Sequence, residues 1–351
     1  MEKLTNRQNS ILEFIRNQGQ ASTREIKKYQ ELKTGTLNRI TIIRDLDVLI
    51  TKKLIKKTGQ GRSVSYSMII ENPLLSFYDI EKYFKQSIKE RNSRKNFNFD
   101  IFKNFDNSIF SKEELSNLDK LNDTYRKSVA RLSPTILKKE FERLTIELSW
   151  KSSQIEGNTY SLIETEILIT ENQEASGHTK SETQMILNHK KALDYIINNP
   201  KIFKELTLSK IEDLHKLLIF DLGVEKNIRK TSVGITGTNY KPLDNQFQIK
   251  EALHEMLSII NAKNLHPLLK ALSAIALISY TQPFEDGNKR TARILGNAIL
   301  LAQEYCPLSY RDVDKNDYKK AILLFYEQNS LYLLKEIFIQ QFEFAVKNYF
   351  E

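Results

Sequence analysis

Gln282-Pro283-Phe284-Glu285-Asp286-Gly287-Asn288-Lys289-Arg290-Thr291-Ala292-Arg293 is the stretch on which the reading of this chain turns. An apolar run from Pro267 to Tyr280 precedes it and a second helix-period run, Ile294 to Glu304, follows it, so the spacing predicts helix, glycine-containing loop, helix. That is the shape of a phosphate cradle. The first amides of a helix have no partner in their own helix and lie at the positive end of its dipole, so anions are favoured there. Gly287 allows close backbone approach, Asp286 can hold a divalent cation against phosphate oxygens, and Arg290 and Arg293, three apart, share a helix face.

Working outward, the segment Ser232-Val233-Gly234-Ile235-Thr236-Gly237-Thr238-Asn239-Tyr240-Lys241-Pro242 reads as a short hairpin. Further upstream, Ser152-Ser153-Gln154-Ile155-Glu156-Gly157 reads as a helix end with glycine as its stop.

The loop resembles the signature of the Fic family, His-x-Phe-x-Asp/Glu-Gly-Asn-Gly-Arg-x-x-Arg, and the resemblance extends over roughly residues 100 to 351. It implies a mainly α fold, a helical bundle with a small β-hairpin flap. It also implies an activity, transfer of AMP from ATP with Mg2+ to a hydroxyl of a target protein or of the chain itself. On the matching positions Phe284 is core and Asp286 the magnesium ligand. Gly287, Asn288 and Lys289 form the phosphate loop, and Arg290 and Arg293 hold the outer phosphates; Asn288 and Arg290 join Gln282 as the catalytic positions. The segment around Ile235, Thr236, Gly237, Thr238 and Asn239 is the expected flap that holds a target by adding a strand. Ser152, Glu156 and Gly157 fit the inhibitory motif Ser/Thr-x-x-x-Glu-Gly/Asn of the class with an N-terminal inhibitory helix, here about residues 138–157, in which Glu156 pairs with Arg293.

Two positions depart from the signature. Lys289 replaces its second glycine, as in the related Doc kinases, which leaves the direction of nucleotide binding open. Gln282 stands where the family has its catalytic His. An amide has no useful basicity in water and can only orient by hydrogen bonds; losing a general base costs about 10²–10⁴ in rate, roughly 3–5.5 kcal/mol. His178, His189, His215, His254 and His266 read as structural or solvated rather than as substitutes. Nucleotide binding with weakened or altered transfer is therefore expected. Two alternatives stay open, an active adenylyltransferase or kinase restrained by Glu156, and an enzyme that removes AMP.

The N-terminal residues read differently. The net charge of +9 is concentrated in residues 1–70, which hold fourteen Lys and Arg against six Asp and Glu; such an excess attracts polyanions. Helix-period residues Ile11, Leu12, Phe14 and Ile15 end at Gly19, and Ser22 or Thr23 caps a short helix through Ile26. Thr34-Gly35-Thr36 turns into a third helix, about Leu37 to Leu54, expected to bury Ile40, Ile43, Leu46 and Leu49. Leu54-Ile55-Lys56-Lys57-Thr58-Gly59-Gln60-Gly61-Arg62 followed by Val64, Tyr66 and Met68 reads as strand, turn, strand. With Thr41-Ile42-Ile43-Arg44-Asp45-Leu46, this resembles the winged helix-turn-helix head of DeoR-type regulators. The resemblance implies duplex DNA as partner, Thr36, Asn38, Arg39 and Thr41 as base readers, and Lys52, Lys53, Lys56, Lys57 and Arg62 as phosphate contacts. A homodimer is expected on fold analogy.

The expected organisation is thus a DNA-binding head at 1–70, a helical linker at 71–132 and a Fic domain at 133–351. A chain of 351 residues exceeds one ordinary domain of about 100–200, and 11 Gly with 7 Pro argue against an all-β fold. Cys306 alone can form no internal disulfide, no leader-like apolar run opens the sequence, and no stretch is apolar for long enough to span a bilayer, so a cytoplasmic protein with no membrane partner is expected.

Overall fold

The structure, a computed structural model, describes residues 4–52, 54–69 and 72–350, without the side chain of Arg62. The expected roles of Lys53 and of the Arg62 side chain fall outside those residues. The chain divides into two compact units, 1–91 and 92–351.

In the first unit, α1 (Asn6–Gln18), α2 (Thr23–Thr34) and α3 (Arg39–Thr51) stand with β1 (Gln20–Ser22), β2 (Ile55–Thr58) and β3 (Ser65–Met68); a short α4 (Ile80–Lys85) follows. The strands form an antiparallel sheet in the order β1-β3-β2. Capping boxes at Thr5 with Gln8 and at Ser22 with Glu25 start α1 and α2, and Gly19 ends α1 at φ 70°. The second helix runs two turns beyond the expected Ile26, because Tyr29 stacks on Phe14 at 4.3 Å and Gln30 is buried against Ser10. The third is shorter than expected, since Asn38 caps it and Lys52 closes it. Its buried face is Ile42, Leu46 and Leu49 with Asp45, while Ile40 is 57% exposed. The buried Asp45 accepts from Arg7 and Gln8, tying α3 to α1. Between β2 and β3 the chain makes a short 3-10 turn, Gly61–Ser63.

In the second unit, α5 (Lys112–Arg131), α6 (Pro134–Ile155), α7 (Leu162–Glu171), α8 (Lys180–Asn198) and α9 (Leu208–Leu218) lead to α10 (Gln246–Asn261), α11 (Pro267–Thr281) and α12 (Asn288–Ala302). The last two are α13 (Lys315–Gln328) and α14 (Tyr332–Asn348). Residues 92–132 belong to this unit rather than linking it: α5, started by a Ser111–Glu114 capping box, packs on α14, and Asn122 donates to Glu304 O and accepts from Cys306 N. The core is built on α11, whose residues from Leu268 to Thr281 are buried apart from Lys270; a helix apolar on all sides belongs in the interior. It forms a tight antiparallel pair with α12, where a side chain at Gly296 would meet Ile275 at 2.8 Å. Among the described residues no helix is long and apolar enough to cross a membrane.

Candidate functional site

The loop between α11 and α12 is shorter than the sequence suggests, because α12 begins at Asn288 and ends at Ala302 instead of running from Ile294 to Glu304. Lys289, Arg290 and Arg293 therefore stand on its first two turns. Gly287 caps it at φ 77°, and a Cβ there would lie 3.1 Å from Ile219, so both backbone and space call for glycine. The first amide bonded along the helix is that of Thr291, to Gly287 O at 2.8 Å, which leaves those of Asn288, Lys289 and Arg290 without partners in the helix.

Asn288 uses both ends of its carboxamide on the backbone of Phe284, accepting from its N–H at 2.9 Å and donating to its O at 2.7 Å. Its side chain thereby shapes the loop. Phe284 is fully buried, with the ring of His215 stacked on it at 3.7 Å, and His215 Nε2 bonds Asp286 O at 3.0 Å. Burial pushes the His215 imidazole down to about 4, so it is a neutral prop under the loop.

Arg290 and Arg293 share a face but not a function. Arg290, 2% exposed, donates to Asp286 Oδ2 at 2.9 Å and Leu218 O at 3.3 Å. Asp286 is thus paired with Arg290 through one oxygen, while its side chain is 67% exposed toward solvent. Arg293 is fully buried and faces α6. It donates to Ser152 Oγ at 2.9 Å, Ser152 O at 3.0 Å and Glu156 Oε1 at 2.8 Å, with its guanidinium 5.5 Å from the Tyr318 ring. Lys289 Nζ stands 3.5 Å from the other Glu156 oxygen. Burial raises the Glu156 pKa, but the charges of Arg293, Lys289 and Arg290 outweigh it and hold the carboxyl down to about 2. Glu156 is the C-cap of α6, which starts at Pro134, four residues before the expected helix, and stops as expected at Gly157, φ 104°.

The Ser152 hydroxyl also lies 2.8 Å from Nε2 of His189, whose Nδ1 is 2.9 Å from Met185 O. Because the carbonyl can only accept, Nδ1 carries the ring proton and donates to it, and Nε2 accepts a hydrogen bond from the Ser152 hydroxyl. Burial first, then the charge of Arg290, pushes His189 down to about 3. His189 and His215 are structural, as read from sequence, but buried beneath the site rather than solvated.

Gln282 ends α11 in the left-handed region, φ 49°, ψ 59°. Its Nε2 donates to Ser279 O at 2.7 Å and meets Tyr326 Oη at 3.1 Å, which fixes the amide orientation because Ser279 O can only accept. The expected hairpin is absent: residues 232–240 pair with no strand, Thr236–Gly237 make a turn, and a lone parallel bridge joins Lys241 to Asn96. The small and apolar residues there have no partner strand beside them to complete a ladder. The stretch Val233–Thr236 nevertheless walls a cavity of about 380 Å³ together with Ile155, Glu156, Gln282, Asp286–Arg290 and the α13 residues Tyr318, Lys319 and Leu323. Gly237, Thr238 and Asn239 stay outside that lining; Thr238 Oγ1 accepts from Tyr240 N at 3.1 Å.

The expected DNA contacts lie on the first unit. Thr36, Arg39, Lys52, Lys56 and Lys57 are exposed and Thr41 is half-buried. Asn38 is exposed, and its side-chain oxygen caps α3 by accepting from Ile40 N at 3.0 Å. Sequence reading passed over Arg229, Tyr318 and Tyr326 altogether; they lie far from the loop in sequence and carry no local motif.

Residues 205–300 match the Fic/DOC family. A protein adenylyltransferase Fic of Nematostella vectensis is 29% identical over 190 residues, 52% of this chain and 43% of that protein. That of Aedes aegypti is 27% identical over 204 residues, 56% of this chain and 40% of its own. The chain thus spans about two fifths of the length of these curated relatives. Among solved structures, Fic-1 (residues 134–508) from C. elegans superposes at TM-score 0.58 and 19% identity, over 67% of this chain and 71% of that one. A Fic domain containing signaling protein from Bacteroides thetaiotaomicron does so at TM-score 0.54 and 22% identity, over 66% of this chain and 96% of that one. The second unit has the helical fold of these proteins.

Proposed function

Starting from a chain that carries a Fic/DOC family domain over residues 205–300, we propose that it is a DNA-binding regulator whose core binds ATP with Mg2+ and whose transfer chemistry is held back by Glu156 and slowed by Gln282. The observation that carries this reading is the position of Glu156. Its carboxylate occupies Arg293 and Lys289 at the wall of the cavity, which is where a second anion would have to sit.

The donor set fits a nucleotide. The unpaired amides at the start of α12, Lys289 and Arg290 suit phosphate oxygens, Ile322 and Leu323 offer an apolar wall for a base, and about 380 Å³ lies within the usual range for small-ligand pockets. Asp286 keeps one carboxylate oxygen clear of Arg290, as a magnesium ion shared with phosphates requires. When bound, ATP supplies an activated phosphate and pyrophosphate as leaving group. Gln282 can then orient an attacking hydroxyl but cannot take its proton, so slow transfer to the chain itself or to a target protein is the expected activity. The family likeness of the curated relatives, adenylyltransferases by name, supports this chemistry over others.

The three helices, the antiparallel sheet and the exposed Lys56 and Lys57 support duplex DNA as the ligand of the first unit.

Calorimetry with ATP and Mg2+ on the full chain tests the core. Tighter binding by Glu156→Gly than by the native chain, lost on Arg290→Ala, supports the reading; no heat from either the native chain or Glu156→Gly overturns it.

A further inference from the structure

Arg229 is an arginine with 2% exposure and, among the described residues, no carboxylate within ion-pair distance. Buried charge of this kind is costly unless something else balances it. Here three backbone carbonyls do. Nε donates to Gln282 O at 2.6 Å, one terminal nitrogen to Thr231 O at 2.7 Å and the other to Leu243 O. Its own backbone N–H donates to Pro283 O at 3.0 Å.

Those acceptors are not random. Gln282 closes α11, and the last carbonyls of a helix lack partners within it and carry the negative end of its dipole, so a cation is favoured there. The other leg of the 230–243 loop uses the same helix end: Tyr240 donates its hydroxyl to Tyr280 O at 2.8 Å and stacks on the Tyr280 ring. Thr231 and Leu243 mark the two ends of the loop, so a single guanidinium joins both ends to the residue at the head of the anion-binding turn. Gln282 needs such a hold, because a non-glycine residue at φ 49° is sparsely populated.

We propose that Arg229 is a positioning residue: it locks the 230–243 loop and the left-handed Gln282 into one unit, so that the cavity wall at Val233–Thr236 keeps a set distance from the residue at the catalytic position. The effect on transfer rests on the proposed nucleotide reading. The lock itself does not, and it can be tested without turnover.

Hydrogen exchange of the full chain, followed by mass spectrometry, compares the native protein with Arg229→Met and Arg229→Lys. The expected result is exchange at least tenfold faster in 230–243 for Arg229→Met, with amides of α12 within twofold of native. Arg229→Lys, which keeps a charge at the helix end but not the fork of donors, should fall between. Tyr240→Phe, which releases only the second leg, should speed exchange in 238–243 alone. ATP affinity by calorimetry should hold in all three, because the α12 amides and Arg290 are untouched. Unchanged exchange in 230–243, or an equal rise across α11 and α12, overturns the proposal. If Arg229→Met does not fold, Arg229→Lys decides by the same pattern. Absence of ATP binding in both the native chain and Glu156→Gly would remove the nucleotide reading while leaving the exchange result to stand or fall alone.

Discussion

Glu156 Oε1 and Arg293 Nη2 meet at 2.8 Å, and the guanidinium has no exposure to solvent. The pair links the end of α6 to the second turn of α12, two elements 137 residues apart in sequence. Ser152, one turn earlier, takes two more donors of the same arginine, so α6 is fastened by a row of contacts rather than a single bridge.

Replacing Glu156 by Gln should destabilise the second unit at neutral pH by about 2–3 kcal/mol, because a buried guanidinium loses its counter-charge. The carboxyl is held down to about 2, below its unfolded value, so its contribution is complete above roughly pH 4.5 and is lost as pH falls toward 2. Trp150, the only tryptophan, sits on α6 and reports unfolding of this unit by fluorescence. The gap between native and variant chains should be constant from pH 7 to about pH 5, narrow to roughly half near pH 3 and close toward pH 2; a gap as wide at pH 3 as at pH 7 would count against the ion pair.

The two buried histidines act in a higher pH window. His189 at about 3 and His215 at about 4 bind protons in the unfolded chain near 6.5 but not in the fold. The unfolded state therefore holds more protons below pH 6.5, and stability falls as pH drops from 6.5 toward 4. Each histidine adds up to about 1.4 kcal/mol per pH unit to the slope. His189→Gln should remove roughly half of that slope in denaturant midpoints from pH 7.5 to 4.5. An unaltered slope in both His189→Gln and His215→Gln would show that neither ring resists protonation.

Binding of the full chain to duplex DNA should weaken steeply with salt. Lys56 and Lys57 are neighbours on an exposed strand, and replacing both by alanine should flatten the plot of log K against log salt by about 1.8, or about 0.9 per phosphate contact. All sequences should be affected alike, whereas Arg39→Ala should also blunt sequence preference. Equal slopes for native and double variant, measured by fluorescence anisotropy, would dismiss these lysines as phosphate contacts.

Gln282→His combined with Glu156→Gly should switch on labelling of the protein from ATP labelled at the α-phosphate, while Glu156→Gly alone should stay near background. A histidine tolerates the left-handed conformation at this position better than most residues do. Strong labelling by the single variant would show that an amide at 282 supports catalysis. Label arriving only from the γ-phosphate would mean that the nucleotide binds in the reverse direction.

The loop between Pro267 and Arg293 was legible because its chemistry is local: residue types at fixed offsets specify helix, turn and helix regardless of what packs around them. The cap at Ser22 was readable for the same reason, since a side chain and an amide three residues on settle it. The 232–242 segment misled, because alternating small and apolar residues suit a strand only if a partner strand is present, and here Arg229 and Tyr240 tie it to a helix end instead. The structural bonds of Asn288 and Asn38 were not legible: Asn288 holds the backbone of Phe284 and Asn38 caps α3 at Ile40, which depends on how the chain turns there.

From sequence alone came the helical class of the second unit, the helix–glycine loop–helix order around Gly287, the basic bias of the first seventy residues and the absence of a basic side chain at 282, all of which depend on residue type and short spacing. Tertiary structure alone decided that Arg290 serves Asp286 while Arg293 serves α6, that His189 and His215 are held neutral, and that Arg229 governs the wall of the cavity. Those outcomes depend on which distant groups share a low-dielectric interior, where a charge must find a partner or a set of carbonyls, and no local pattern encodes which partner that will be.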